Sequence, residues 1–206
     1  NINDNCGSTH MAGLQRVVVE ANAHLGLAFD GDADRMLAVD HSGELVDGDQ
    51  ILAILALDAK RRGELADNTV VATVMSNLGF HLAMRRNDIH VHQTDVGDRY
   101  VLEALEVNRW SLGGEQSGHL IFPAFATTGD GLLTGLRLLD VVKRSGDSLR
   151  TLATDAMTRF PQVLVNVQVK HKDGLASAAV VWDDVKAVEA EIGDVGRELL
   201  RDRGTE

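Results

Sequence analysis

The chain has 206 residues, of which 44% are hydrophobic and 25% charged, a composition typical of a globular protein with a real core. Its formal net charge of −11 argues against a nucleic-acid or anionic-membrane surface, and no apolar run approaches the ~18 residues of a membrane-spanning helix. Cys6 is the single cysteine, which excludes an internal disulfide and fits a reducing cytosol, so we expect a cytoplasmic protein.

The first part of the chain carries the patterns of one helix and several strands. Apolar residues recur at helical spacing over 14–23, and the mostly apolar run 25–29 predicts a buried strand. Residues 35–46 predict a hairpin that turns at 41–43, because Ser and Gly separate two apolar runs there.

The next segment alternates between the two types of element. We predict strands over 69–75, 90–94, 110–112 and 119–122. We predict helices over 50–62, 77–86, 98–107 and 131–143, and a further helix capped by Ser148. This alternation predicts an α/β fold, in which a mixed, mostly parallel sheet is flanked by helices.

The pattern changes near Pro161. Four valines then alternate with polar residues, which is typical of a strand in a sheet with one solvated face: Val163, Val165, Val167 and Val169. A helix over 182–192 and a strand over 196–201 complete the prediction, so we expect the start of a C-terminal α+β domain.

An acidic cluster follows the predicted strand at 25–29. Asp30, Asp32 and Asp34 are separated by small residues, which let the loop curl until the carboxylates converge. Converged carboxylates repel one another unless a cation lies between them, and oxygen ligands without Cys or His suit Mg²⁺ or Ca²⁺. Arg35 closes the cluster and can hold an anion beside the metal.

Other interpretations of this cluster are weaker. A solvated acidic turn does not explain the apolar strand before it or the arginine after it. An EF-hand loop needs Gly at its sixth position and Glu at its twelfth, where this chain has Arg35 and His41. An aspartyl phosphatase, with Asp30 as nucleophile and Asp32 as acid, is the runner-up, although that family has Thr or Val where Asp34 stands.

A second polar stretch runs from Gly113 to His119. Its glycines allow tight turns and close approach of a ligand. Glu115 can accept two hydrogen bonds from vicinal hydroxyls, and Ser117 can donate or accept. The stretch therefore suits a sugar, although a plain hairpin turn explains the loop alone equally well.

Together, the two stretches resemble motifs of the α-D-phosphohexomutase superfamily. The metal loop of that family, Asp-Gly-Asp-x-Asp-Arg, matches 30–35, and its sugar loop, Gly-Glu-x-Ser-Gly-His, matches 114–119. Gln116 resembles the glucosamine branch more than the mannose/glucose branch, where Met is common. Further stretches also resemble that branch: 5–10, 73–77, 96–101 and 127–131.

The resemblance implies three pieces of a four-domain protein. Residues 1–42 would be the C-terminal part of the second domain, with the metal loop, and 46–159 the third domain, with the sugar loop. Residues 160–206 would be a truncated start of the fourth domain. The serine that carries the transferred phosphate belongs to the family's first domain, so we expect this chain alone to be inactive.

The resemblance also implies site residues. Asp30, Asp32 and Asp34 would hold Mg²⁺, and the catalytic residues would be Arg35, Arg99 and His119. Substrate contacts would come from Gly114, Glu115 and Ser117, and from a C-terminal phosphate loop with Gly204 and Thr205. In that loop Asp202 and Arg203 stand where the family has Pro and Ser.

The implied activity is that of an isomerase. A phosphoserine donates its phosphate to a 6-phosphosugar, and the bisphosphate reorients before it returns its other phosphate. For the glucosamine branch this interconverts glucosamine 6-phosphate and glucosamine 1-phosphate, which feeds UDP-N-acetylglucosamine and cell-wall synthesis. A homodimer is expected of the full-length protein. The alternatives are a phosphomannomutase or phosphoglucomutase, or a remnant that binds metal and sugar phosphate without turnover.

Overall fold

The computed structural model describes residues 4–165, 167, 174–175, 178–193 and 196–200. The chain divides into two compact units, Asn1–Phe160 and Pro161–Glu206. No helix within the described ranges is both long enough and apolar enough to cross a bilayer.

The first unit begins with helix α1 (Ala12–Glu20) and a three-stranded antiparallel sheet. Its strands lie in the order β1 (Leu25–Phe29), β2 (Met36–Asp40) and β3 (Leu45–Val46). The register places Phe29 opposite Met36, so the acidic stretch is the loop that joins β1 to β2. The predicted hairpin at 35–46 is confirmed.

A second, mixed sheet forms the centre of this unit. Its strands are β4 (Thr69–Thr73), β5 (His90–Thr94), β6 (Gly113–Gly114) and β7 (Leu120–Ile121), in the order β5-β4-β6-β7. Strand β4 is parallel to both of its neighbours, and β7 is antiparallel to β6. The prediction of a mixed, mostly parallel sheet is confirmed.

The strand predicted over 110–112 is wrong by a few residues, because β6 begins at Gly113. Trp110 and Ser111 instead bind the segment that precedes β4. The indole N–H of Trp110 donates to Asp67 at 3.2 Å, and the Ser111 hydroxyl donates to the Glu64 carbonyl at 3.0 Å.

Helices cover both faces of the mixed sheet. They are α2 (Gly48–Arg61), α3 (Leu78–Arg86), α4 (Asp98–Asn108), α5 (Gly131–Ser145) and α6 (Leu149–Ala156). Alternate residues of β4 point to opposite faces, so Val70 joins a large core that includes residues of α2, α3, α5 and α6, whereas Val71 packs with Val101 and Leu105 of α4. Ser148 caps α6 through the Thr151 N–H, as predicted.

The second unit contains helix α7 (Ala179–Ile192), which confirms the helix predicted over 182–192. The strand predicted from the alternating valines is wrong for its described part, because 161–165 and 167 have no strand conformation. Val163 and Val165 are 84% and 72% exposed, so the burial that normally stabilises such a pattern is missing there. Residues 196–200 likewise form no strand, and Val169 and Arg201 lie outside the described residues.

Candidate metal and sugar site

The loop between β1 and β2 brings three carboxylates together. One carboxylate oxygen from each of Asp30, Asp32 and Asp34 lies within 4.8 Å of the others. The loop curls because Ala33 adopts a positive φ of 61° and its N–H donates to the Asp30 carbonyl at 3.3 Å. The predicted convergence is therefore present, and the triad forms a candidate metal site.

The electrostatics of the triad fit a hard cation. Burial, a hydrogen bond with Asp30 and the negative charge of Asp30 raise the pKa of Asp34 above its ordinary value. His119 opposes this rise, and the charge of Asp32 adds to it. A bound cation would relieve the repulsion, and an all-oxygen donor set is what Mg²⁺ or Ca²⁺ prefers.

Arg35 stands at the end of the metal loop. Its backbone N–H donates to Asp30 Oδ1 at 3.1 Å, and its Nε lies 3.8 Å from Asp30 Oδ2. The side chain is 47% exposed, so the guanidinium is accessible to an anion beside the triad.

His119 is buried, with 1% of its surface exposed, and both of its ring nitrogens have partners. Nδ1 lies 2.9 Å from Asp34 Oδ2, and Nε2 accepts the Gly129 N–H at 3.2 Å. Because Nε2 accepts, these hydrogen bonds assign the proton to Nδ1, which donates to Asp34. His119 thus orients a carboxylate of the triad, and its assigned catalytic role stays a prediction.

The sugar loop lies at the carboxyl end of β6. Strands β4 and β6 are neighbours, but the chain continues from β4 to β5 on one side and from β6 to β7 on the other. Ligands of open α/β sheets bind at such a topological switch point, at the carboxyl ends of the strands. Glu115 follows β6 directly. Its carboxylate accepts the Gly97 N–H at 3.1 Å and the Ser117 hydroxyl at 3.4 Å.

Backbone contacts join the sugar loop to the metal loop. The Met36 N–H donates to the Gly118 carbonyl at 3.1 Å, and Arg35 forms a β-bridge with His119. Gly118 has a φ of +93°, and a Cβ there would lie 2.4 Å from the Met36 carbonyl oxygen. Only glycine permits this close approach.

The structure brings most of the predicted site residues to one region. The triad, Arg35, His119, Gly114, Glu115 and Ser117 are linked through the contacts above. Arg99 lies in the first turn of α4, two residues after Gly97, and is exposed. Gly204 and Thr205 lie outside the described residues, so their predicted phosphate contacts stay a prediction.

Two glycines of the site were not assigned a role from the sequence. Gly129 contacts His119, and a Cβ there would lie 2.4 Å from the imidazole ring. Gly97 donates to Glu115. The signal for both was a glycine inside a stretch that already resembled the family, 127–131 and 96–101.

Comparison with known proteins gives the class to which this fold and site belong. Residues 47–160 match the family model for phosphoglucomutase/phosphomannomutase, alpha/beta/alpha domain III. The chain belongs to the phosphoglucomutase/phosphomannomutase family, and the resemblance to the phosphohexomutases is confirmed.

More particular similarities lie within that family. The whole chain is 60% identical to a phosphoglucosamine mutase of Rhodococcus jostii (strain RHA1) and 61% identical to one of Mycolicibacterium smegmatis (strain ATCC 700084 / mc(2)155). It covers 46% and 45% of those proteins, so it spans less than half the length of the curated relatives it matches.

Solved structures share the fold. An N-acetylphosphoglucosamine mutase from Aspergillus fumigatus, in complex with GlcNAc-6P and magnesium, matches 99% of this chain and 52% of its own at a TM-score of 0.78 and 20% identity. A phosphoglucomutase/phosphomannomutase family protein from Burkholderia thailandensis matches 72% of this chain and 33% of its own, with a TM-score of 0.63 and 29% identity.

Proposed function

We propose that this chain is the metal- and sugar-binding part of a phosphoglucosamine mutase that interconverts glucosamine 6-phosphate and glucosamine 1-phosphate. The observation that carries the proposal is the acidic triad, held against a sugar loop through Asp34 and His119. The 60% identity to a phosphoglucosamine mutase over the whole chain supports this choice of sugar.

The triad is proposed to hold Mg²⁺. Asp30, Asp32 and Asp34 supply the oxygen ligands, and His119 fixes the orientation of Asp34. When bound, the metal neutralises negative charge on the phosphoryl oxygens during transfer. Arg35 is placed to hold the phosphate that approaches the metal, because its guanidinium is exposed at the rim of the triad.

The sugar is proposed to lie against the loop after β6. The carboxylate of Glu115 accepts hydrogen bonds from sugar hydroxyls, and the hydroxyl of Ser117 donates or accepts beside it. Gly114 keeps this strand close to β7, since a Cβ there would lie 2.8 Å from the His119 carbonyl oxygen. Arg99 is exposed nearby and is proposed to contact a substrate phosphate.

The wider organisation is also part of the proposal. Residues 1–42 complete a second domain, 46–159 form a third, and 160–206 begin a fourth, in a cytoplasmic enzyme that acts as a homodimer. The A. fumigatus protein, whose structure is a complex with GlcNAc-6P and magnesium, shares this fold.

The metal is tested first on the purified chain. We expect calorimetric titration to detect Mg²⁺ binding in the parent and a loss of at least about tenfold in affinity in Asp32→Asn, because one of three charged ligands is removed. Asp155→Asn on the exposed surface of α6 is the matched control and retains parental affinity. Equal affinity in parent and Asp32→Asn would remove the triad from the proposal.

The substrate is tested on the full-length protein. We expect turnover of glucosamine 6-phosphate, with Mg²⁺ and a bisphosphate primer, at a higher kcat/KM than mannose 6-phosphate or glucose 6-phosphate. A preference for mannose or glucose would assign the chain to another branch of the family. An absence of turnover with all three sugars would refute the mutase itself.

A further inference from the structure

The loop before α4 contains a glycine that contacts the sugar loop through its backbone. Gly97 has φ 137° and ψ 135°, a conformation that L-residues rarely adopt. Its N–H donates to Glu115 Oε1 at 3.1 Å, across 18 positions of sequence. The donor in this contact between two loops is therefore a backbone amide and not a side chain.

The two carboxylate oxygens of Glu115 differ in how firmly they are held. Oε1 accepts the Gly97 N–H at 3.1 Å, whereas Oε2 accepts the Ser117 hydroxyl at 3.4 Å, the long end of the hydrogen-bond range. One oxygen is therefore fixed by backbone, and the other is available for exchange with a hydroxyl of a ligand. With one oxygen fixed and the other free to exchange partners, the Glu115 carboxylate can keep its orientation while ligands bind and dissociate.

Backbone conformation, more than space, makes Gly97 necessary. Among the described residues, a Cβ at Gly97 would meet only the Tyr100 ring, at 3.3 Å and 3.6 Å, where the Tyr100 side chain needs to move by a few tenths of an ångström. The φ of 137° is the stronger constraint, because an L-residue relaxes away from it. Such a rotation turns the N–H away from Glu115.

The position at the start of a helix strengthens the contact. Gly97 is the N-cap residue of α4 and makes no side-chain cap bond. The N-terminal end of a helix carries partial positive charge, which favours a carboxylate beside it.

We propose that Gly97 is a positioning residue for sugar recognition, which fixes Glu115 so that Oε2 faces the sugar hydroxyls. This inference rests on the proposed function, since it takes Glu115 as the sugar-binding carboxylate. In this proposal the loop 96–98 contributes to sugar specificity through the backbone N–H of Gly97.

The Gly97–Glu115 contact is tested first, without any sugar. We expect the Gly97 amide proton to exchange at least about tenfold faster in Glu115→Ala than in the parent, as measured by NMR, because its acceptor is gone. Glu115→Gln keeps an acceptor oxygen and retains the slow exchange. Glu106→Ala, on the exposed surface of α4, is the control and leaves the Gly97 amide unchanged. An unchanged exchange rate in Glu115→Ala overturns the inference.

The sugar role is tested by kinetics on the full-length protein. Gly97→Ala is expected to raise KM for glucosamine 6-phosphate about tenfold while kcat changes less than about threefold, the pattern of a lost contact that is equally strong in the ground state and the transition state. Gly146→Ala is the matched control, because Gly146 also has a positive φ, +76°, but no atom of the part of the chain that the structure describes lies within 4 Å of its Cβ position. Its KM stays parental.

A double-mutant cycle decides whether Gly97 acts through Glu115. In a Glu115→Ala background, Gly97→Ala is expected to change KM by less than about twofold, because the group it positions is absent. If the effects of the two substitutions on KM are additive, or if Gly97→Ala has a parental KM, this inference is overturned and the proposed function stands. An absence of turnover in the parent refutes the proposed function instead, and the sugar role of Gly97 with it, whereas the amide exchange still reports on the contact.

Discussion

At the scale of single residues, the site depends on side chains that hold other side chains. His119 is buried and donates to Asp34, and Gly129 leaves room for the imidazole while its N–H holds Nε2. Substitution of a side chain that orients a metal ligand typically reduces metal affinity by about 10–100-fold. The orientation of Asp34 therefore depends on Gly129, which contacts His119 and none of the three aspartates.

Gly129→Ala is expected to weaken Mg²⁺ binding about tenfold or more, because its Cβ would lie 2.4 Å from the His119 ring and displace the group that orients Asp34. The measurement is a calorimetric titration, together with a circular dichroism spectrum to confirm the fold. Gly13→Ala in α1 is the control, since no atom of a described residue lies within 4 Å of its Cβ position. A folded Gly129→Ala variant with parental affinity would contradict the role of His119.

Asp40 governs the turn after β2. Its buried carboxylate accepts hydrogen bonds from the Ser42 N–H at 2.8 Å, the Ser42 hydroxyl at 2.6 Å and the Glu44 N–H at 3.1 Å. Burial on its own raises the pKa of Asp40, but these hydrogen bonds outweigh it and lower the pKa below its ordinary value. The charged form is thus the one that stabilises the fold.

Asp40→Asn is expected to reduce the free energy of unfolding by about 1–3 kcal/mol at neutral pH, because an amide is a weaker acceptor for these donors. The lowered pKa means that the contribution of Asp40 is complete above about pH 4, its unfolded value, and is lost as the pH falls through the folded value. Urea unfolding of parent and variant between pH 3 and pH 7 measures this. A gap that does not narrow toward low pH would argue against it.

Some of these residue-scale features could be predicted from the sequence, and others could not. Alternate spacing and small spacers were enough to predict that Asp30, Asp32 and Asp34 converge, because both are local properties. The bonds from Gly97 to Glu115 and from Gly129 to His119 were not predictable, since they depend on where two distant loops meet. The chemical type of His119 likewise did not reveal that both of its nitrogens are occupied.

At the scale of elements, local signals predicted the helices well and the short strands poorly. Helix α2 begins with a capping box, in which Asp47 accepts the Gln50 N–H at 3.1 Å and the Gln50 side chain accepts the Asp47 N–H at 3.3 Å. Whether an apolar stretch becomes a strand depends on a partner strand elsewhere in the chain. Strand β6 lies where β4 and β7 supply that partner, whereas the valine stretch at 161–165 and 167 forms no strand. Their positions could not be predicted from periodicity alone.

The cap of α2 carries a prediction of its own. Burial raises the pKa of Asp47, so the fold disfavours its charge, although the side chain caps the helix and lies 3.5 Å from Arg159. Asp47→Ala is expected to cost about 1 kcal/mol at neutral pH, whereas Asp47→Ser keeps an oxygen for Gln50 without the buried charge and recovers most of the loss. Ser148→Ala, at the cap of α6, is the comparison. A Ser variant as unstable as the Ala variant, by thermal unfolding, would show that the cap bond is not what matters.

At the scale of the whole molecule, the candidate metal site lies entirely in the unit Asn1–Phe160. The end of that unit is fixed within it, because the Asn77 side chain donates to the Phe160 carbonyl at 2.9 Å and accepts the Phe160 N–H at 3.0 Å. Ligand binding should therefore stabilise the first unit whether or not the second is present.

A chain of residues 1–160 is expected to fold and to gain the same stability from Mg²⁺ as the 206-residue chain. At a free metal concentration of 100 times Kd the gain is about 2.7 kcal/mol, visible as a rise in Tm by calorimetry. The Asp32→Asn variant of the short chain shows a much smaller rise. A shift found only in the longer chain would place part of the metal site beyond Phe160.

The hydrogen bond from Met36 to Gly118 has a thermodynamic consequence. It joins the metal loop to the sugar loop through backbone atoms, so we expect a rearrangement of one loop to affect the other. Two ligands that share such a linkage have a coupling free energy, and that energy is reciprocal. If the proposed Mg²⁺ and sugar sites are both occupied, whatever factor the metal contributes to the affinity for the sugar, the sugar returns to the metal, and a bulky residue at Gly118 would reduce both factors equally.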